Sequence, residues 1–116
     1  MAVSSLADKR CVPCLGGTPP LTPAEIAPLL AQVEGWTVEA HKRLTKPFKF
    51  KNFVEAVAFV NAIMPVAEHE GHHPDLHVRW GQVRVELWTH KIDGLTESDF
   101  VMAAKIDRLY ANRPTA

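Results

Sequence analysis

Apolar residues recur along this chain with two periods, and the switches between them mark out its elements. Ile26, Leu29, Leu30 and Val33 follow helical spacing. Thr22 and Glu25 have the spacing of a capping box, with Pro23 at the first helical position. These signals predict a first helix running to about Glu34 and stopped by Gly35. Trp36–Glu39 and Leu44–Phe50 read as strands, the second alternating around Leu44, Phe48 and Phe50. Asn52 is placed to cap a longer helix whose predicted apolar face is Phe53, Val57, Val60 and Met64. Pro65 implies a kink or break in it, and Gly71 and Pro74 end it. Leu76, Val78 and Trp80 alternate, as do Val83, Val85 and Leu87, with Gly81-Gln82 between them, a hairpin signal. Thr96 and Asp99 open a last helix with Met102, Ile106 and Leu109 on its buried face.

The predicted order is α-β-β-α-β-β-α. Hairpins in place of β-α-β crossovers imply an antiparallel sheet with helices on one face, an α+β domain. If Val83, Val85 and Leu87 face the helices, then Arg84, Glu86, Trp88 and His90 point the other way.

Composition narrows the function. The 116 residues carry 13 Lys+Arg against 13 Asp+Glu, a net charge of zero, with 47% hydrophobic residues. That is one soluble domain, residues 21–116, behind a Gly/Pro-rich arm, residues 1–20, expected to be flexible. No basic excess exists to neutralise phosphates, so direct nucleic-acid binding is not expected. Glu55 and Asn61 interrupt the apolar stretch from Val54 to Ala67, short of the about 20 residues a bilayer needs. The N-terminus lacks the apolar core of a signal peptide, and the expected compartment is the cytoplasm. In the arm, Cys11 and Cys14 form a Cys-x-x-Cys, half a zinc ribbon or a redox pair. With no second pair and a loop context, a structural arm is the preferred reading.

The skewed number is six histidines, four of them within residues 69–77. Three readings compete. His69-Glu70-Gly71-His72-His73 satisfies the H-E-x-x-H zinc pattern, but Gly71 and Pro74 end the helix that the motif requires to be rigid. A polar helix end with solvated histidines suits His69 and His77. Metal-free acid–base chemistry is the third, because imidazoles exchange protons near neutrality and a carboxylate such as Glu68 or Asp99 fixes their tautomers.

The spacing Glu68-x3-His72-His73-Pro74-x5-Trp80-x9-His90-x8-Asp99 resembles the signature of the pterin-4a-carbinolamine dehydratases, and the likeness extends from about Thr18 to Arg113. The resemblance implies a four-stranded antiparallel sheet with three helices packed on one side, and homodimers or homotetramers. It implies loss of water from 4a-hydroxytetrahydropterin to give quinonoid dihydropterin, as a step in pterin cofactor recycling, with no metal and no organic cofactor. Carried over by position, His72 and His73 bracket the leaving hydroxyl, His90 is the third histidine and Asp99 the carboxylate near it. Glu68, Pro74 and Trp80 support the site, with core packing an open alternative for Trp80 and first-turn helix capping one for Asp99. His72 is the expected principal acid–base group. A non-catalytic binding or assembly module on the same fold is the rival function, since a fold does not fix an activity.

Overall fold

In the computed structural model, residues 5–12 and 19–114 are described. The elements are α1 (Pro23–Leu30), β1 (Thr37–Glu39), β2 (Arg43–Lys49), α2 (Phe53–Glu70), β3 (Asp75–Arg79), β4 (Gln82–Leu87) and α3 (Glu97–Ala111). The fold is α+β, with one antiparallel sheet in the order β1-β2-β4-β3 and the three helices on one side of it. Register follows the apolar alternation: Leu44 pairs with Leu87 and Phe48 with Val83, and all four side chains are buried under the helices. The opposite face is polar, where Arg84 pairs with Glu39 and Glu86 at 3.2 Å each.

The predicted caps form. Thr22 accepts from the N–H of Glu25 while the Glu25 carboxylate accepts from that of Thr22. Asn52 caps α2 through the N–H of Glu55. Thr96 donates its N–H to the Asp99 carboxylate at 2.9 Å.

Four details differ from the sequence expectation. α1 stops at Leu30, and residues 31–35 turn towards β1. α2 runs through Pro65 without a break. Its buried face is Ala56, Phe59, Ile63 and Ala67, while Phe53 and Met64 of the predicted stripe are 51% and 61% exposed. Apolar residues surround most of α2, so periodicity alone selects no side; the sheet and α3 do.

The fourth concerns the arm. Residues 5–12, expected to be flexible, are docked on α3, because Leu6 and Ala7 supply apolar surface that is 1% exposed. Lys105 donates to the carbonyl of Ala7 at 3.0 Å, and Arg108 pairs with Asp8 at 2.8 Å. Cys14, Gly16 and Gly17 lie outside the described residues.

Candidate active site

α2 ends at a residue that only glycine adopts at no steric cost. Gly71 takes φ +65° and ψ +28°, the left-handed conformation, and turns the chain out of the helix. The following His72 folds back, its N–H bonding the carbonyl of Ala67 at 3.2 Å. Its side chain is 15% exposed, and Nε2 lies 2.6 Å from Oδ1 of Asp99.

Asp99 is fully buried in the first turn of α3. Its other oxygen accepts from the Thr89 hydroxyl at 2.8 Å and from the Thr96 N–H at 2.9 Å. An ionised carboxylate only accepts, so Nε2 of His72 carries the hydrogen in this pair, and in the neutral ring Nδ1 is the nitrogen without one. The buried anion thereby fixes both ring orientation and tautomer.

His73 turns outward and pairs with Glu68 at 2.6 Å, both side chains more than half exposed. His90 opens a short 3-10 turn, His90–Ile92, just beyond β4. It stacks on Trp88 with ring centroids 3.9 Å apart. Trp88 is fixed by Asp75, which accepts its indole N–H at 3.3 Å, and by the Arg43 guanidinium 4.9 Å from the ring centroid. Trp88 and His90 therefore meet at the end of the sheet, although β4 stops at Leu87 and His90 lies in the 3-10 turn rather than on the strand predicted to carry it.

These groups surround a cavity of about 470 Å³ whose lining includes His72, His73, Pro74, Trp88 and His90. That volume suits a small heterocycle. Of the residues singled out in the sequence, His72, His73, Pro74 and His90 line the cavity, and Asp99 and Glu68 bond to two of them. Asp99 is thus bonded to His72 and, through its other oxygen, to Thr89, the neighbour of His90 in the chain.

Trp80 is elsewhere. It sits in the β3–β4 turn, 69% exposed and remote from the cavity, so it is neither core nor part of this lining. Trp88, Thr89, Glu70, Cys11 and Val12 were not singled out as site residues. Trp88 shares its predicted strand face with His90, while Cys11 and Glu70 stand in the sequence within the Cys-x-x-Cys and H-E-x-x-H patterns, which point to other chemistry.

Glu70 and Cys11 form the cavity's far edge. The Glu70 side chain is 4% exposed and accepts the N–H of Cys11 at 2.8 Å, with Arg10 at 3.4 Å and Lys105 at 3.7 Å. The backbone hydrogen bond from Cys11 leads, and the His69 contact, Lys105 and Arg10 add to it. Against burial they hold the Glu70 carboxyl down at about 2. Burial first, then the Glu70 charge, pushes the Cys11 thiol up to about 12, so it stays protonated at neutral pH.

The zinc pattern does not assemble, because α2 ends inside it and His69 pairs with Glu70 while His73 pairs with Glu68. Among the described residues, no group of three His, Cys, Asp or Glu side chains is placed to hold a metal ion. No helix among them is long and apolar enough to cross a membrane.

Comparison with known proteins gives one consistent picture. A family model described as Pterin 4 alpha carbinolamine dehydratase matches residues 19–109. A Rubrobacter xylanophilus protein named for that dehydratase is 52% identical over 107 residues, covering 92% of this chain and all of its own length. One from Methylococcus capsulatus is 49% identical over 112 residues, covering 96% of this chain and 98% of its own. The crystal structure of a transcriptional coactivator/pterin dehydratase from Brucella melitensis superposes with a TM-score of 0.73 at 35% identity, over 78% of this chain and 97% of that one. A pterin dehydratase-like protein described as a RuBisCO assembly factor in the alpha-carboxysome shares the fold, with a TM-score of 0.57 at 24% identity, over 66% of this chain and 94% of that one.

Proposed function

This chain belongs to the pterin 4 alpha carbinolamine dehydratase family, and from that premise we propose that it removes water from 4a-hydroxytetrahydropterin by proton transfer through its cavity histidines. The observation that carries the proposal is the His72–Asp99 pair, a 2.6 Å contact to a fully buried carboxylate at the edge of a cavity that His73 and His90 also line.

The reaction breaks one carbon–oxygen bond. A proton goes to the leaving hydroxyl, the adjacent ring nitrogen gives its lone pair to form a carbon–nitrogen double bond, and that nitrogen loses its proton. Products are water and quinonoid dihydropterin, with no net oxidation. His72, its Nε2–H held by Asp99, exchanges the proton at Nδ1. His73, steadied by Glu68, and His90, stacked on Trp88, polarise the hydroxyl and bind the pterin. Such transfers contribute on the order of 10²–10⁴-fold each, enough without a metal or organic cofactor for a reaction that needs no electron sink.

In this reading the enzyme recycles pterin cofactor in the cytoplasm as a homodimer or homotetramer. Exposed Phe53, Val54 and Met64 on α2 support self-association, since such apolar side chains gain by leaving water. The Brucella relative's description as a coactivator favours a second, non-catalytic role on the same fold, without displacing the first.

The test generates 4a-hydroxytetrahydropterin in situ and follows its decay with wild type and with His72→Ala plus His73→Ala. Wild type should accelerate the decay and the double variant should return it to the spontaneous rate. A wild type no faster than the spontaneous reaction ends the reading.

A further inference from the structure

We propose that Cys11 and Val12 form one wall of the pterin pocket and that Glu70 is the positioning residue that fixes this wall against the histidine turn. The inference rests on the dehydratase reading and adds to it residues outside the histidine signature. Cys11 and Val12 line the same cavity as His72, His73 and His90.

The wall is bonded on both sides to neighbours of the His72–Asp99 pair. On one side, the Cys11 N–H donates to Oε1 of Glu70 at 2.8 Å, and Glu70 is joined to His72 through Gly71 alone. On the other, the Val12 N–H donates to the Ser98 hydroxyl at 2.9 Å, which returns a bond to the Val12 carbonyl at 3.2 Å; Ser98 precedes Asp99. Leu6 and Ala7 already anchor the segment in the core, so these polar bonds are not needed to keep it on the protein. They set the position of its last residues at the cavity edge.

Glu70 is a nearly buried carboxylate that meets a backbone N–H, Arg10 and Lys105, an arrangement that tolerates little displacement. What the wall offers a ligand is apolar surface: Val12, 69% exposed, and the flank of Cys11. Contacts of that kind hold the pterin equally in the ground and transition states, so their loss weakens binding and leaves the proton steps alone.

Glu70→Ala and Val12→Asp are therefore expected to raise KM roughly tenfold with kcat within about twofold of wild type. Glu70→Gln, which keeps an oxygen for the Cys11 N–H, should recover most of the affinity. The dissociation constant of 7,8-dihydrobiopterin, measured by calorimetry, should follow KM without depending on turnover. Val12 is exposed, so Val12→Asp carries the test if Glu70→Ala does not fold. Unchanged KM and dissociation constant, or a fall in kcat at constant KM, overturns the wall. A wild type that neither turns over nor binds dihydrobiopterin overturns the dehydratase reading and the wall with it, whereas an active wild type matched by its variants overturns the wall alone.

Discussion

At the start of β4, Phe48, Phe50, Phe59 and Tyr110 pack ring against ring, with centroids 4.9 to 5.7 Å apart. At its far end, beside buried Leu44, Leu87 and Leu95, buried polar groups gather: Thr89, Ser98 and Asp99, with the Glu70 side chain close by. The same long helices serve both ends. α2 begins among the aromatics and is closed by Gly71, while α3 carries Asp99 in its first turn and Tyr110 in its last. Ring packing gains free energy from area and shape and needs no partner of fixed charge. A buried carboxylate gains little net stability even when fully hydrogen-bonded, but it holds an imidazole in one orientation. The aromatic end therefore carries much of the stability, and in the proposed mechanism the polar end gives up some of it to orient His72.

The largest expected effect tests the stability half of that division. Phe48→Ala should cost about 3–5 kcal/mol in denaturant unfolding, while the folded fraction keeps kcat/KM within a few-fold. A folded variant with lost activity would show that the two ends are not separable. Next is Asp99→Asn, which leaves the Nε2–H of His72 facing an amide. Its kcat should fall about 100-fold, equivalent to about 3 kcal/mol of barrier, and by more than its loss of unfolding free energy. Equal losses in the two measurements would make Asp99 a helix cap and nothing more.

The smallest effect is pH-linked. The folded Glu70 carboxyl titrates at about 2 against an ordinary 4.5. Ionised Glu70 therefore stabilises the fold above about pH 4.5, and that contribution is lost as pH falls towards about 2. Glu70→Gln should lose on the order of 1 kcal/mol at neutral pH after solvent screening. Its melting temperature should also depend less on pH through that acid range. Parallel wild-type and variant profiles would remove Glu70 from the set of stabilising charges.

Much of this architecture was legible from spacing. Asn52, Thr22 and the Val83-Val85-Leu87 alternation each determine one local geometry, and each appears where expected. The histidines were legible as a cluster because Gly71 and Pro74 pin them between a helix and a strand. What spacing misses depends on contacts between distant segments. The choice of Ala56 and Phe59 over Phe53 and Met64 on α2 is made by what packs against it. Trp80 continues the alternation of β3 in the sequence but falls in the turn beyond it, where it is 69% exposed. Leu6 and Ala7 carry no period, and the Glu70–Cys11 bond spans a separation in sequence that no motif encodes. The partner of Asp99 likewise follows from how the Gly71 turn aims His72.

The Asp99 carboxylate answers to two demands at once, one oxygen holding His72 and the other closing the start of α3. An asparagine, with one oxygen, could accept from the Thr96 N–H but would then turn its NH2 towards the Nε2–H of His72. A descendant of this protein that abandoned catalysis would thus have reason to keep an acceptor at this position while its histidines drift. Among diverged copies, an intact residue 99 marks a properly started helix; on the proposed mechanism it is the fate of residues 72, 73 and 90 that would report whether the chemistry was kept.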